Sequence, residues 1–326
     1  MATKTVIGWG GLRRVCIIPG RLDKKVAVIT GANTGIGAVT AAELARRGCK
    51  VIMACRSLER AEEARKRILK KYGISNPDWL KTNIADESLA ASFSPVSEDQ
   101  LIIKKLDLAS YKSIRKFAEC FKKNQPRLNY LINNAGVYPS KYTTTDDGNE
   151  LAMGVNHLGH FLLTSLLLHK LENSAPSRII IVSSISHLWG QLCKPGLNMT
   201  EGNFVMRDAY KQSKLANALH ACELSERLGG TGVVSVFLHP GVVRTEVFRH
   251  HTSPKQYLRY RLLSLVMINE WLGAQTTLYT VMAKTLVPGG YYDNCKLAEP
   301  NKLVKDRAER QWLWDRSCEL VGLPKT

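Results

Sequence analysis

Residues 26–48 read VAVITGANTGIGAVTAAELARRG, and this stretch decides the fold. An apolar, β-rich run, Val26–Thr30, passes directly into three glycines spaced as GxxxGxG, and a segment of helical composition follows them. Glycines at such a turn let the backbone approach the pyrophosphate of a dinucleotide, which binds at the positive N-terminus of the helix. The stretch therefore predicts a strand, turn and helix that bind a dinucleotide through Gly31, Asn33, Thr34, Gly35, Ile36 and Gly37.

Outward from this stretch, apolar runs alternate with segments of helical periodicity as far as about residue 238. The runs are continuous rather than alternating, which indicates strands that are covered on both faces. Repeated strand–helix–strand units give right-handed crossovers and a parallel sheet. The predicted fold class is therefore α/β, a doubly wound parallel sheet of the Rossmann type with helices on both faces. The predicted strands are Val26–Thr30, Val51–Ala54, Leu101–Leu106, Leu128–Ile132, Arg178–Val182 and Val233–Leu238.

Two stretches interrupt this alternation. Residues 73–100 form a long polar connection, and loops of this length are uncommon in compact domains. This insert is functional, flexible or an artefact of the gene model, and we expect it close to the adenine side of the site. Residues 246–275 follow the sixth strand, where lids over apolar pockets are often inserted. We predict an N-terminal extension (1–18) and a single domain (19–326) that contains the polar insert and a substrate lid at 246–275.

The eight cysteines are scattered along the chain, with no CxxC pair. Zinc sites and secreted disulfide frameworks both depend on patterned cysteines, so both are disfavoured. No HExxH motif or acidic cluster indicates a metal, and Ser184 lacks the GxSxG elbow of a hydrolase. His157 and His160 are expected to pack in the interior rather than to bind a ligand. The sequence predicts reduced thiols, a cytosol-like compartment and no metal site.

The net charge of +18 points to an acidic partner. One basic cluster, 56–71, lies on a predicted helix, where a solvated face is the simpler explanation. A second, 249–261, borders the apolar run 262–268 and is typical of an amphipathic helix on an anionic membrane surface. No zinc finger or RNA-recognition signature indicates nucleic acid. No apolar run reaches the roughly 18–20 residues that span a bilayer, so a cytoplasmic or peripheral membrane location is predicted. Four bases and no acid in residues 1–22 leave a transit peptide open.

The residues after the second predicted strand favour NADP over NAD. Enzymes that use NAD commonly carry an acid about 20 residues beyond the glycines, to bind the ribose 2′-hydroxyl. Arg56 stands there instead, and its planar donors suit a 2′-phosphate, although it could simply begin a basic helix. Contacts to the adenine, the backbone of the cofactor and the nicotinamide amide are predicted after this and later strands. They are Ser57, Asp107, Leu108, Asn134, Ala135, Gly136, Pro240, Gly241, Val242 and Thr245.

Tyr210 and Lys214 form the strongest chemical signal. They lie four residues apart in a predicted helix, so both side chains can act on one small volume. Ionising an ordinary tyrosine at neutral pH costs about 4 kcal/mol. An ammonium about 5 Å away returns about 3 kcal/mol at an effective dielectric of about 20, and an oxidised nicotinamide ring can supply the rest. Tyr210 is therefore predicted to be the base in oxidation and the acid in reduction, and both residues are predicted to contact the cofactor.

Ser184 and Asn156 complete the predicted catalytic group. Ser184 ends the fifth strand, and its hydroxyl can orient a substrate oxygen toward Tyr210, with Ser183 as the alternative. Asn156 lies in a helix behind the site, where it can bind a helix carbonyl and a water that leads to Lys214. The predicted substrate contacts are Ser184, Tyr210, Leu188 and Trp189.

Six motifs occur in order along the chain: TGANTGIG, NNAG, VNHLGHFLLT, IVSS, YKQSK and HPGVVRTE. Together they resemble the short-chain dehydrogenase/reductase superfamily. Further motifs are similar to its retinol dehydrogenase group: ELARRG, ACRS, DLAS, SAPSRI, SKLAN, YYDNCK and ERQWLWDRSCELVGL. The similarity covers residues 19–324 and is more specific for the superfamily than for the group.

By matching position, the resemblance implies a fold of the short-chain dehydrogenase type and a catalytic tetrad of Asn156, Ser184, Tyr210 and Lys214. It also implies phosphate contacts at the three glycines, NADP selection by Arg56 and an adenine contact at Asp107. Members of the group act on retinol, retinaldehyde and other lipophilic alcohols or aldehydes, often reductively with NADPH. Many are bound to the endoplasmic reticulum or mitochondrial membrane through an N-terminal apolar segment, which this sequence lacks.

The sequence thus predicts an NADP(H)-dependent enzyme that interconverts lipophilic alcohols and carbonyl compounds, with retinol and retinal as the leading pair. Two alternatives are open: a reductase of steroid or xenobiotic ketones, and a non-catalytic NADP-binding scaffold. Scaffolds of this kind typically lose a tetrad residue, and all four residues stand here. The expected partners are a lipophilic small molecule and an anionic membrane surface. Self-association into a homo-oligomer is left open.

Overall fold

An eight-stranded sheet forms the centre of the computed structural model, which describes residues 2–8, 11–81, 83–243 and 267–325. The described strands are β1 (Thr3–Gly8), β2 (Gly11–Cys16), β3 (Val26–Thr30), β4 (Lys50–Cys55), β5 (Leu101–Lys105), β6 (Tyr130–Asn133), β7 (Ser177–Val182), β8 (Val233–His239), β9 (Tyr291–Asp293) and β10 (Lys296–Ala298). β1 and β2 pair as a separate antiparallel hairpin. The other eight follow the order β10-β9-β8-β7-β6-β3-β4-β5, in parallel except for β10.

Helices cover both faces of this sheet. Along the described chain they are α1 (Gly35–Arg46), α2 (Leu58–Tyr72), α3 (Tyr111–Asn124), α4 (Leu151–Glu172), α5 (Met206–Arg227), α6 (Glu270–Met282) and α7 (Arg307–Val321). Because side chains alternate along a strand, Val28 and Leu131 pack against α3, α4, α5 and α7. Their neighbours Ile29 and Ile132 pack against α1, α2 and α6. The predicted doubly wound parallel sheet is confirmed.

The six predicted strands are all present, and their ends agree with the prediction to within two residues. Sequence patterns did not reveal β9 and β10, which have three residues each. Three residues are too few to show a periodicity. These strands extend the sheet beyond β8 and bring the C-terminal part of the chain to the edge of the site.

The hairpin β1–β2 belongs to the region that was predicted to be an N-terminal extension. Val15 and Cys16 are buried, and the Cys16 amide donates to Gln275 Oε1 of α6 at 3.1 Å. The Arg14 amide donates to Asn294 Oδ1, in the turn between β9 and β10, at 2.8 Å. The described residues of the hairpin therefore pack on the α/β domain.

The polar insert, 73–100, folds against the C-terminal end of α1. The Arg46 guanidinium lies over the rings of Tyr72 and Phe93, at 4.7 and 4.1 Å from their centroids. Leu89 and Phe93, which belong to the insert, are buried. The first residues of the insert follow directly after α2. The insert thus lies at the edge of the sheet where the strands begin, opposite the glycine turn. This position differs from the expected one beside the adenine.

Residues 270–275, which were assigned to a substrate lid, belong instead to α6. A Cβ built on Gly273 would lie 2.6 Å from Val243 and 3.2 Å from Ile36, so this helix packs directly on the start of α1. Met267 and Ile268 are also buried. This part of the lid prediction is wrong, because the helix completes the second layer of the domain. Residues 246–266, with the basic cluster 249–261, lie outside the described residues.

Helix α4 passes through the core behind the strands. In the part of the chain that the structure describes, it alone is long and apolar enough to cross a membrane. However, 78% of its most apolar window is buried inside the fold, as is usual for a core helix. One turn of it, Gly154–Leu158, is π-helical, and such turns often occur at functional sites.

We expect Leu89→Ala to lower the free energy of unfolding by about 2–4 kcal/mol, because the insert buries this side chain and its loss leaves a cavity. Chemical denaturation would measure the change. Leu297→Ala is the matched control, since that leucine is 52% exposed and its loss should change stability by less than about 0.5 kcal/mol. Equal effects of the two substitutions would contradict a folded insert.

Candidate active site

The glycine turn lies at the edge of the sheet where the parallel strands end. Gly31 and Gly35 have φ angles of +67° and +54°, which favour glycine. A Cβ on Gly37 would lie 2.5 Å from the Gly31 oxygen and 2.6 Å from Asn134 Nδ2. No side chain fits there without displacing the backbone of the turn.

The start of α1 is suited to an anion. Thr34 is its N-cap but makes no capping hydrogen bond through its side chain, and the first turn contains no acid. The first amide groups of the helix are therefore directed out of its end. Asn33 and Ile36 flank this end, and Arg67 donates to the Asn33 carbonyl at 3.4 Å. This arrangement of helix end and glycines fits the pyrophosphate of a dinucleotide.

Thr30 joins the glycine turn to two other segments. Its hydroxyl accepts hydrogen bonds from the amides of Asn134 and Ala135, both at 2.9 Å, and lies 2.8 Å from His160 Nε2. His160 Nδ1 lies 3.0 Å from the Asn156 carbonyl, which can only accept, so Nδ1 carries the proton and Nε2 accepts from Thr30. Burial lowers the pKa of His160 to about 4, which keeps the ring neutral. His160 is buried, as predicted, and it also orders the turn.

The residues predicted for the adenosine end lie after β4 and β5. Arg56 is exposed, and its carbonyl accepts from Lys105 Nζ at 2.6 Å, which brings a second cation to this corner. The Ser57 hydroxyl accepts from the Arg60 amide and so caps α2. Asp107 Oδ1 accepts from the Ala109 amide at 3.0 Å. The side chain of Leu108 is buried in the core, and its carbonyl lies 2.6 Å from where a Cβ of Gly159 would be.

Tyr210 and Lys214 lie together on α5. Lys214 Nζ is 5.5 Å from the centre of the Tyr210 ring and donates to the Val182 carbonyl at 3.1 Å. A Cβ on Gly136 would lie 3.4 Å from this ammonium, so a small residue is needed between α5 and the strand end. The ring of Tyr138 meets Tyr210 edge-on, with 4.9 Å between centroids.

Burial determines the protonation of this pair. It raises the pKa of Tyr210 to about 12, an effect that the Ser184 hydroxyl opposes and Tyr138 reinforces. It lowers the pKa of Lys214 to about 8. Desolvation disfavours the charged form of each group, which explains the direction of both shifts. The prediction that the ammonium and an oxidised nicotinamide ring together make the phenol acidic concerns the complex with the cofactor, and it stays a prediction.

Ser184, rather than Ser183, faces Tyr210. The Ser183 side chain is buried and donates to the Lys214 carbonyl at 2.8 Å, which ties β7 to α5. Ser184 lies two residues beyond the end of β7, and its hydroxyl lies 3.2 Å from that of Ser186. Between the two alternatives that the sequence left open, the structure favours Ser184 as the substrate-facing hydroxyl.

Asn156 lies within the π-helical turn and is fully buried. Its amide exchanges two hydrogen bonds with the backbone of Val137, at 2.8 and 3.0 Å, and donates to Ser213 Oγ at 2.9 Å. The side chain therefore binds backbone after β6 and a hydroxyl on α5, rather than the predicted helix carbonyl. Asn156 Oδ1 and Lys214 Nζ both lie close to Gly136, at 3.5 and 3.4 Å from where its Cβ would be.

The turn that was predicted to contact the nicotinamide amide follows β8. It contains Pro240 and Gly241, whose φ is +91° and whose Cβ would lie 2.6 Å from Ile268. The Val242 carbonyl accepts from the Ile268 amide at 2.9 Å. Thr245, also predicted here, lies outside the described residues. Of the predicted substrate contacts, Leu188 is half-buried and Trp189 is 62% exposed.

Comparison with known proteins identifies the family. The family model of short chain dehydrogenases matches residues 25–88 and 80–256. The chain belongs to the short chain dehydrogenase family. It is 42% identical to retinol dehydrogenase 14 of Mus musculus, over 94% of this chain and 89% of that protein. It is also 42% identical to retinol dehydrogenase 12 of Homo sapiens, over 95% of this chain and 90% of that protein. A crystal structure of an uncharacterised protein from Mycobacterium paratuberculosis superposes with a TM-score of 0.70, at 30% identity over 95% of this chain and 97% of that one.

Membership of this family makes the chain an oxidoreductase that uses a nicotinamide cofactor. The glycine turn and the uncapped start of α1 agree with that assignment. Within the described residues of this short chain dehydrogenase, no group of His, Cys, Asp and Glu side chains could hold a metal ion.

Three residues order the dehydrogenase site through contacts that the sequence did not reveal, although His187 was a candidate for the pocket wall. Thr30 lies inside the motif itself, but its role depends on contacts with residues 104 or more positions away. His187 donates through Nδ1 to the Ser184 carbonyl at 2.7 Å, and Asn301 binds the same turn. Only the position of His187, three residues after Ser184, offered a signal.

We expect Gly37→Ala to raise the dissociation constant of the nicotinamide nucleotide by at least about tenfold, because overpacking typically costs 1–3 kcal/mol. The added methyl group would push the Gly31 carbonyl and Asn134 out of the turn. Fluorescence titration with NADPH would measure binding, and thermal denaturation would check the fold. Gly202→Ala is the control, since its Cβ meets nothing within 4 Å. Unchanged binding in a folded Gly37→Ala protein would contradict the assignment.

Proposed function

We propose that this dehydrogenase uses NADPH to reduce long apolar aldehydes of the retinal type, and that it also catalyses the reverse oxidation. The observation that carries the proposal is the convergence of Tyr210, Ser184 and Lys214 beside the glycine turn. The relatives named retinol dehydrogenase, at 42% identity over nearly the whole chain, support a retinoid substrate.

The side chains have distinct parts in the reduction. Ser184 and Tyr210 donate hydrogen bonds to the carbonyl oxygen of the substrate and so polarise it. The cofactor, when bound, supplies the hydride. Tyr210 gives its phenolic proton to the substrate oxygen, which becomes the hydroxyl of the alcohol. Lys214 stabilises the phenolate that this transfer leaves behind, by roughly 3 kcal/mol at an effective dielectric of about 20.

The protonation of the pair suits the proton transfer that the reduction requires. A pKa of about 12 keeps Tyr210 protonated at neutral pH, as a proton donor must be. A pKa of about 8 leaves Lys214 mostly charged at neutral pH. In the oxidative direction the same phenol would have to lose its proton first, which its burial opposes.

The charge at the end of β4 supports NADPH as the cofactor. No acid stands there to bind a ribose 2′-hydroxyl, and Arg56 is exposed at the corner. Lys105 Nζ lies against the Arg56 carbonyl, and Arg67 reaches the Asn33 carbonyl from α2. Three cations thus surround the region where we infer that the 2′-phosphate binds.

The mouth of the site supports an apolar substrate. The ring of Tyr138 packs edge-on against Tyr210, and Leu188 and Trp189 belong to the 3-10 turn that Ser184 caps. An exposed tryptophan at a mouth presents an apolar surface to a long hydrocarbon. The described residues do not test the membrane contact predicted for 249–268, so it stays a prediction.

We expect the purified protein to reduce all-trans-retinal and medium-chain aldehydes faster with NADPH than with NADH. In Tyr210→Phe, kcat should fall by at least about 10²-fold, since the proton donor is lost, while binding of NADPH is retained. Steady-state assays with both nucleotides, and with a steroid ketone in parallel, would measure this.

Each outcome of these assays bears on one part of the proposal. Activity confined to the steroid would overturn the substrate, and a preference for NADH would overturn the cofactor. Full activity of Tyr210→Phe would refute its role as the proton donor. A wild-type protein that binds NADPH but turns over no carbonyl would favour the scaffold alternative.

We expect the kcat of reduction to be level between about pH 6 and 7 and to fall above about pH 8. The cause is that Lys214 is charged below its pKa of about 8 and neutral above it. Tyr210, with a pKa of about 12, stays protonated throughout. Lys211→Met is the control, because Lys211 pairs with Asp208 at the exposed side of α5 and should leave the profile unchanged. A wild-type profile that stays level to about pH 10 would contradict this assignment.

A further inference from the structure

The turn that follows Ser184 is held from the C-terminal part of the chain. This turn, Ile185–Trp189, is a short 3-10 helix capped by the Ser184 side chain. Asn301 lies against it, at the start of another 3-10 helix, Lys302–Lys305. Asn301 Nδ2 donates to the carbonyls of His187 and Leu188, at 3.1 and 3.0 Å. Its own Oδ1 accepts from the Leu303 amide at 2.8 Å, which fixes the side chain.

His187 connects this contact to Ser184. The Ser184 carbonyl accepts both from the His187 amide, at 3.0 Å, and from His187 Nδ1, at 2.7 Å. Because Nδ1 carries the proton, Nε2 of the neutral ring is an acceptor, and it receives the Asn301 amide at 3.4 Å. Burial lowers the pKa of His187, which agrees with a neutral ring.

Aromatic packing restrains the same ring. His187 is fully buried and meets the rings of Tyr291 and Phe237 edge-on, with centroids 4.7 and 5.5 Å apart. Phe237 lies in β8 and Tyr291 in β9, so the sheet itself defines the plane of the imidazole. Each polar atom of the ring and each atom of the Asn301 amide has a partner. A side chain so restrained can transmit position from one segment to the next.

We infer that Asn301 and His187 act as a positioning pair, which sets the place of Ser184 and of the Leu188–Trp189 wall for the substrate carbonyl. The inference rests on the proposed function, since it assigns Ser184 and this wall to a carbonyl substrate. Neither residue touches the reacting atoms. Asn301 acts on the wall through the Leu188 carbonyl, and His187 acts on the catalytic hydroxyl through the Ser184 carbonyl.

Two variants separate positioning from folding. Asn301→Asp keeps the oxygen that caps Leu303 but replaces the two donated hydrogen bonds by repulsion between oxygens. Its matched control is Asn76→Asp, at the far end of α2, where Asn76 Nδ2 donates to the Lys71 carbonyl and Oδ1 accepts from the Asp78 amide. His187→Phe keeps an aromatic ring between Phe237 and Tyr291 and removes both polar atoms.

The expected result is a split between kcat and KM. His187→Phe should lower kcat for retinal and for a short aldehyde alike, by about tenfold or more, because small misplacements of catalytic groups cost up to about 10²-fold. Asn301→Asp should also raise KM, and more for retinal than for the short aldehyde. The effects in the double variant should be less than additive, since both residues act on one turn. The variants should still unfold cooperatively, with melting temperatures that keep them folded under the assay conditions, and Asn76→Asp should melt close to the wild type.

Several results would overturn the inference. One is kcat and KM within twofold of the wild type in folded Asn301→Asp and His187→Phe, and another is an equal loss in Asn76→Asp. If Asn301→Asp does not fold, His187→Phe decides alone. A wild-type protein that reduces no carbonyl refutes the proposed function and this inference with it. An active wild type with unaffected variants refutes the inference alone.

Discussion

One threonine hydroxyl joins the three segments that form the cofactor side of the site. Thr30 Oγ1 accepts from two amides after β6 and donates to His160 of α4, so its single proton and both lone pairs are used. The same contact brings Asn134 to 2.6 Å from where a Cβ of Gly37 would be. The close packing of the glycine turn thus depends on a saturated buried network, and such networks are costly to disturb because a lost partner leaves a polar group unsatisfied.

The same burial that orders the turn determines the chemistry of α5. Desolvation disfavours a charge on either member of the pair, so the pKa of Tyr210 rises and that of Lys214 falls. The raised pKa of Tyr210 leaves the phenol protonated at neutral pH, and the lowered pKa of Lys214, about 8, lies close to neutral pH. A more exposed pair would keep ordinary pKa values and would change little over the working pH range. The position of α5 against β7, which Ser183 and Lys214 maintain, is therefore a chemical as well as a structural constraint.

Local sequence patterns predicted the sheet, the glycine turn and the catalytic side chains, because each depends on spacing within a few residues. The structure places Asn156, Ser184, Tyr210 and Lys214 near one another at the strand ends, and their catalytic roles stay predictions. The direction in which burial shifts the pKa of Tyr210 could not be predicted, since the degree of burial is not visible in a motif. The contacts that Cys16 and Arg14 of the hairpin make could not be predicted either, because they join residues more than 250 positions apart. The lid prediction failed at its C-terminal end because an apolar helix and an apolar lid have the same composition.

Residues from both ends of the chain complete a site whose motifs lie in the middle. The hairpin β1–β2 packs on α6 and on the turn after β9, and Arg13 comes within 3.8 Å of where a Cβ of Gly241 would be. On the opposite side of β8, Asn301 holds the turn after Ser184. Both terminal segments thus reach the strand ends where the substrate would bind. The carboxyl ends of parallel strands lie at one edge of the sheet. Any segment that packs at this edge can therefore change the shape of the site without contributing to its chemistry. We therefore expect substrate selection to depend on these flanking segments, whereas hydride chemistry depends on the four central residues.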